Sequence, residues 1–191
     1  MPEMEKKRNR IFWVAQAGLL IALLVVVQLL TFLMPKSVPL IGQLFTGTLV
    51  NLVLIVGAGA IGFAGTAAAA VLSPVLAFAF GQMLFPPMIP VVAIGNLVIV
   101  AVTWAFFTQG RRRFRTLGPM SGIIGVVCGA VAKTAFLWLS TVLVVVPAFF
   151  GGKKVVAQLL SLMFSWPQLV TAFVGGSLAL VVLRFIRAYR E

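Results

Sequence analysis

The chain has 191 residues, of which 62% are hydrophobic and 9% charged, and its mean hydropathy is +1.16. These values exclude an ordinary soluble domain, and the length allows about six membrane-spanning helices of about 20 residues each. The only acids are Glu3, Glu5 and Glu191, and the chain has no histidine, which disfavours enzymes, proton relays and metal sites. We therefore expect an integral membrane protein that is not an enzyme and holds no metal or cofactor.

Apolar segments and helix-breaking residues predict an all-α bundle of six membrane spans, forming a single transmembrane domain over residues 1–191. The approximate bounds are 11–34, 44–58, 61–80, 90–107, 119–146 and 156–186. The second and third spans come from one long apolar block, and the glycine-rich run 57–62 marks a predicted turn between them. Pro74 and Pro167 are expected to break their spans, because proline lacks the backbone N–H of a helix interior.

The basic residues predict the orientation of the bundle. With both termini in the cytoplasm, eleven of the fifteen lysines and arginines lie on the cytoplasmic side, as the positive-inside rule requires. The outer side receives only Lys36, Lys153 and Lys154, and Lys133 lies within a span. Because the basic clusters flank spans, the expected partner of the net charge of +12 is the lipid bilayer and its phosphate headgroups, not nucleic acid.

Polar side chains are concentrated in the predicted outer half of the spans. Gln43 and Asn51 enter the second span from outside, and Asn96 lies about two turns into the fourth. The sixth span begins with four polar residues spaced three, four and three apart, which places them on one helix face: Gln158, Ser161, Ser165 and Gln168. This asymmetry predicts a polar cavity open to the outside. Trp166 either stacks on a ligand ring there or packs between helices.

Lys133 is the most informative single residue. A charged side chain at mid-span costs at least about 2.5 kcal/mol, and this chain offers no carboxylate within the bundle to offset that cost. Four forms of compensation remain open: snorkelling to the interface, deprotonation, helix-end carbonyls, or an anionic ligand. The central position of Lys133 in its span argues against snorkelling. Ligand contact and a purely structural role both remain possible.

The chain resembles the substrate-binding S components of the energy-coupling factor (ECF) transporters. The resemblance covers nearly the whole chain and includes the small-xxx-small pattern of Gly18-Leu19-Leu20-Ile21-Ala22 in the first span. Further similar segments are Phe45-Thr46-Gly47-Thr48-Leu49-Val50-Asn51, Leu72-Ser73-Pro74, Pro86-Pro87-Met88-Ile89-Pro90 and Gly95-Asn96.

The resemblance implies a subunit in the cell membrane of a prokaryote that captures a micronutrient, commonly a vitamin, from outside. It would associate with a membrane coupling subunit and two cytoplasmic ATPases, and it would topple in the membrane to release the substrate inward. Gly18 and Ala22 would contact the coupling subunit, and the loop from Lys36 to Gln43 would gate the pocket. The candidate substrate-binding residues are Asn51, Asn96, Lys133, Ser161, Ser165, Trp166 and Gln168.

A cavity with one lysine and no acid favours a neutral or carboxylate-bearing substrate. Pantothenate, biotin, lipoate and nicotinate fit that description, whereas cationic thiamine does not, and nickel or cobalt would lack histidine ligands. The main alternative is a small stand-alone channel or facilitator that oligomerises through its glycine-rich stripes. A continuous pore would require polar residues through the cytoplasmic half as well, and the sequence does not place them there.

Overall fold

A computed structural model describes residues 2–31, 39–83, 85–113 and 120–188, with side chains described over 11–31, 40–83, 85–108 and 120–186. Within these ranges all regular secondary structure is helical, with no strand. A π-helical turn over Thr141–Val145 joins α5 to α6. The helices are α1 (Pro2–Thr31), α2 (Pro39–Ala60), α3 (Phe63–Ala79), α4 (Met88–Arg113), α5 (Met120–Ser140), α6 (Val146–Phe150), α7 (Lys154–Met163) and α8 (Trp166–Ala188).

Five helical segments in the described part of the chain are long and apolar enough to cross a membrane. They are Ile11–Thr31, Leu40–Ala60, Met88–Thr108, Met120–Phe150 and Lys154–Ile186. The shorter α3 is also apolar. Many large apolar side chains are exposed on the bundle surface, which suits contact with lipid. The prediction of an all-helical, multi-pass membrane bundle is therefore confirmed at the level of five to six apolar helices.

Successive long helices reverse direction, so the bundle has two distinct ends. The basic end holds the first residues of α1 and the last residues of α4 and α8. The distal end holds Thr31, the start of α2 and the start of α7, and side-chain bonds between α1 and α2 and between α2 and α7 join these elements there. α2 and α8 consequently run parallel, whereas α4 and α5 run antiparallel. The main apolar core lies among α1, α2, α3, α4, α5 and α8.

Several helix boundaries differ from the predicted ones. α2 begins at Pro39, before the predicted start at residue 44, because proline suits the first position of a helix. The expectation that Pro167 breaks its span is confirmed, since the predicted sixth span over 156–186 consists of two helices that separate at Phe164 and Ser165. The expectation that Pro74 breaks its span was wrong, since α3 continues through this residue.

Candidate functional site

Three of the predicted site residues meet at the centre of the bundle. Lys133 of α5 is only 3% exposed, and its Nζ donates hydrogen bonds to Asn51 Oδ1 of α2 and Asn96 Oδ1 of α4, both at 2.7 Å. Both asparagines are fully buried as well. Three of the seven candidate substrate-binding residues are therefore bonded to one another, and they come from three different helices.

Each asparagine is oriented by a second hydrogen bond from its amide nitrogen. Asn96 Nδ2 donates to the Ala70 carbonyl of α3 at 3.3 Å, and Asn51 Nδ2 donates to Thr171 Oγ1 of α8 at 3.4 Å. Because each nitrogen faces an acceptor, each amide oxygen is directed at the lysine. This network connects α2, α4, α5 and α8 through side chains, and α3 through the Ala70 carbonyl, at one level of the bundle.

Pro74 explains why the Ala70 carbonyl is available to Asn96. In a regular helix this carbonyl would accept the backbone N–H of residue 74, four positions later, but proline has no such group. The side chain of Asn96 fills the vacant place, which keeps α3 continuous and satisfies a buried acceptor. A helix-disrupting residue on α3 thus helps to position a polar group on α4.

Small residues allow α4 to approach α5 closely enough for Asn96 to reach Lys133. A Cβ built on Gly129 would lie 3.2 Å from atoms of Ile99 and Thr103, and one built on Gly125 would lie 2.6 Å from Phe106. Nearer the distal end, Gly95 of α4 packs against Leu137 of α5, and a Cβ built on Gly95 would lie 2.7 Å from the Leu137 side chain. The stripe of small residues on α5 therefore serves helix packing, and that packing places the amide beside the amine.

The amine lies in an environment that lacks negative charge. A lysine ammonium has three N–H donors, and the acceptors found for it in the described part of the chain are the two neutral amide oxygens. No carboxylate side chain occurs between Lys6 and Arg190. The two amide oxygens carry no net charge, so an oxygen of an anion would offset the charge of a protonated Lys133. Among the described residues, no three His, Cys, Asp or Glu side chains come together as metal ligands.

A second polar group lies at the junction of α7 and α8, where Pro167 releases the Met163 carbonyl four residues earlier. This carbonyl accepts hydrogen bonds from Gln43 Nε2 of α2 and, at 3.3 Å, from Gln168 Nε2 of α8. Gln43 was expected in a gating loop, but it lies within α2. Lys36, the other residue predicted for that loop, lies outside the described residues.

The other predicted contacts on the sixth span are not bonded to the Lys133 network. The hydroxyls of Ser161 and Ser165 donate to carbonyls of their own helical segment, those of Ala157 and Leu162, at 2.8 and 2.7 Å. Trp166 is 49% exposed on the surface of α8. The break between α7 and α8 divides the polar face that the spacing predicted. Ligand contact by these three residues stays a prediction.

Thr171 is the member of the network that the sequence analysis missed. It lies three residues after Gln168, on the same helix face, so continuing the polar series by one step would have found it. The predicted partner-contact residues Gly18 and Ala22 lie on an exposed face of α1, and no atom lies within 4 Å of a Cβ built on Gly18. That face is open in the single chain.

Comparison of the chain with protein-family models, with curated proteins and with solved structures gives no match in any of the three. A functional assignment therefore depends on the chemistry of the site and on the distribution of polar residues around it. The buried amine with its two oriented amides is the most specific feature of this kind in the described residues.

Proposed function

We propose that the chain is the substrate-capture subunit of an ECF-type importer, which binds a vitamin or related micronutrient carrying a carboxylate from the extracellular side. Uptake would be driven by ATP through a separate coupling module. The observation that carries the proposal is the buried Lys133 amine, whose acceptors are the neutral oxygens of Asn51 and Asn96. The preference for a carboxylate follows from the charge, because an anionic oxygen bound to the amine offsets the cost of burying a cation.

The polar groups around Lys133 support access from the distal end of the bundle. In that direction Thr171, Gln168 and Gln43 follow one another along the contact between α2 and α8. Toward the basic end, the next buried residues on α2, α4 and α5 are Val53, Ile99 and Ala130. Under the positive-inside rule the basic end is cytoplasmic, so the polar route leads outside. Capture from outside requires such a one-sided arrangement, whereas a channel requires polar groups along the whole path.

The exposed face of α1 supports the proposed partners, a membrane coupling subunit and two cytoplasmic ATPases. Gly18 and Ala22 are one turn apart on this face, and small residues there permit a second helix to approach closely. The chain in this role would lie in the cell membrane of a prokaryote with its N-terminus in the cytoplasm.

Thermal unfolding of the detergent-purified protein tests the proposal, because a ligand that binds only the folded state raises the unfolding temperature by mass action. The panel contains vitamins with a carboxylate, neutral vitamins and cationic thiamine. Each compound is tested with the wild type, with Lys133→Met and with Lys154→Met, which removes an exposed lysine at the distal end as a matched control.

We expect one carboxylate-bearing compound to stabilise the wild type and Lys154→Met and to lose its effect in Lys133→Met. A best ligand that is cationic, or one that stabilises Lys133→Met as strongly as the wild type, would contradict the proposed binding role of Lys133. A folded wild type that responds to no compound, and that purifies without an ATPase pair, would favour the channel or facilitator instead.

A further inference from the structure

We propose that Gln43 forms a second contact point for the captured ligand, so that the ligand carries an N–H or O–H donor at the end opposite its carboxylate. This inference rests on the proposed function and specifies the class of substrate for the same site. It assigns Gln43 a role in selecting the ligand, distinct from the gating role that the resemblance implies for this residue.

The orientation of the Gln43 amide is fixed by its surroundings. Its Nε2 donates to the Met163 carbonyl, and a flipped amide would place two oxygens against each other. Its Oε1 is buried and has no hydrogen-bond partner in the described part of the chain. A buried acceptor without a donor is costly, and such exceptions call for an explanation. A donor on the ligand would supply the missing partner.

Gln43 and the Lys133 network lie on one line along the contact between α2 and α8. Gln43, Gly47 and Asn51 follow at intervals of four on one face of α2, which separates Gln43 from Asn51 by about 12 Å along the helix axis. Gly47 packs closely against Thr171, since a Cβ there would lie 3.1 Å from it, so a ligand that reaches both ends must displace this contact. The bonds of Gln168 and Thr171 on the parallel α8 continue this line. The acceptor of Gln43 and the amine of Lys133 are thus the two ends of one polar track.

A ligand that satisfies both ends is elongated, with an anionic oxygen for Lys133 and a hydrogen-bond donor for Gln43. A second carboxylate in place of the donor would face an amide oxygen and be rejected, because an ionised carboxylate only accepts hydrogen bonds. An ester has no donor either. The structure therefore assigns an order of preference among molecules of equal length: monoamide first, then monoester, then dicarboxylate.

The experiment uses three probe series made from straight-chain dicarboxylic acids, from succinic to sebacic: the monoamides, the monomethyl esters and the free dicarboxylates. Affinity is measured by thermal stabilisation at concentrations up to about 10 mM. We expect one chain length to be best and the monoamide of that length to bind about tenfold more tightly than its ester. Gln43→Met should abolish this difference.

Gln82→Met is the matched control, since Gln82 also donates from its amide to a main-chain carbonyl, that of Gln28, at the same end of the bundle. It should keep the amide preference. Gln43→Asn provides a second test that does not remove the amide. The asparagine side chain is one methylene group shorter, so its amide oxygen lies farther from the ligand by about one carbon–carbon bond. The best monoamide should therefore become about one methylene group longer.

The outcomes separate this inference from the proposed function. An amide preference that persists in Gln43→Met would overturn the role of Gln43, while loss of probe binding in Lys133→Met would still support the capture site. A wild type that binds no probe at any length would overturn the two-point site, and the vitamin panel would then test capture on its own. Loss of the preference in Gln82→Met as well would show a general effect on the distal end and would also overturn the inference.

Discussion

Lys133 shows how an amine is held at the centre of an apolar bundle without a counter-charge. Its two acceptors, Asn51 and Asn96, are neutral, and each has its own nitrogen bonded elsewhere, so neither amide can turn away without losing a second bond. Removing one partner of a buried charge is far more costly than replacing the whole group by apolar side chains. The stability of the protein should therefore depend on whether Lys133 keeps both of its asparagine acceptors.

We predict that Asn96→Leu lowers the free energy of unfolding by about 3 kcal/mol, because the buried amine then has one acceptor instead of two. Adding Lys133→Met should recover most of this loss, since the charge is removed as well. Chemical unfolding in detergent measures both variants. Thr108→Val, an exposed substitution on the same helix, should change stability by less than about 0.5 kcal/mol. Additive losses in the double variant would argue against coupling between Lys133 and Asn96.

Pro74→Ala should separate stability from binding. Alanine restores a backbone N–H that competes with Asn96 for the Ala70 carbonyl, so α3 should be at least as stable while Asn96 loses the bond that orients it. We expect an unchanged or higher unfolding temperature and weaker ligand binding. The control is Pro90→Ala in the first turn of α4, where no helical N–H is required. Equal ligand affinity in Pro74→Ala and the wild type would show that this bond does not prepare the site.

At the scale of single residues, the sequence predicted the lysine and its two asparagines because strongly polar side chains are rare and costly in a membrane span. It did not predict that Asn96 and Gln43 would bond to the carbonyls released by Pro74 and Pro167, because a proline marks the released carbonyl but not the side chain that reaches it. Thr171 was missed for a related reason, since threonine in a helix commonly bonds to its own backbone and does not by itself indicate a polar site.

Among the elements, the parallel contact between α2 and α8 determines the position of the polar track. Gly175 of α8 lies against the backbone of α2, and a Cβ there would come within 2.4 Å of the Thr48 carbonyl and 3.0 Å of the Asn51 Cβ. The two helices can approach this closely only because residue 175 has no side chain. Their approach brings Thr171 to Asn51.

Gly175→Ala is expected to destabilise the protein by about 1 to 3 kcal/mol, because the new methyl group meets backbone atoms that cannot yield without separating α2 from α8. Gly42→Ala on α2 is the matched control, since no atom lies within 4 Å of its built Cβ. It should be neutral or slightly stabilising, as alanine favours the helix. The two unfolding temperatures are compared directly, and an equal effect of both substitutions would contradict the close contact.

Hydropathy predicted the existence and order of the long helices, since a membrane span requires a continuous apolar segment. The break between α7 and α8 leaves the hydropathy of the segment unchanged, and it was predicted from Pro167 instead. The π-helical turn before α6 also has no hydropathy signal. It lies next to Pro147, which has no N–H for the Leu143 carbonyl, and Val146 N–H instead bonds to the Thr141 carbonyl five residues earlier.

In the whole molecule, the polar track lies toward the distal end, and the proposed partner surface lies along the exposed face of α1. Gly18→Leu should leave folding and ligand binding unchanged, because no atom of the chain lies within 4 Å of a Cβ built on Gly18. It should reduce association with the proposed coupling subunit and ATPases. Co-purification from cells of the source organism measures this association. Cys128→Leu, which enlarges an exposed residue on α5, is the control. Undiminished co-purification of the ATPases with Gly18→Leu would remove α1 from the proposed interface.

The central claim is that the bundle captures a carboxylate on Lys133. Its most direct test is to purify the chain in mild detergent from cells grown in rich medium, wash it, unfold it and identify the released small molecules by mass spectrometry. We predict that the wild type and Lys154→Met each release about one carboxylate-bearing micronutrient per chain and that Lys133→Met releases none. Release of the same molecule in equal amounts from Lys133→Met, or release of a cation from the wild type, would contradict the account.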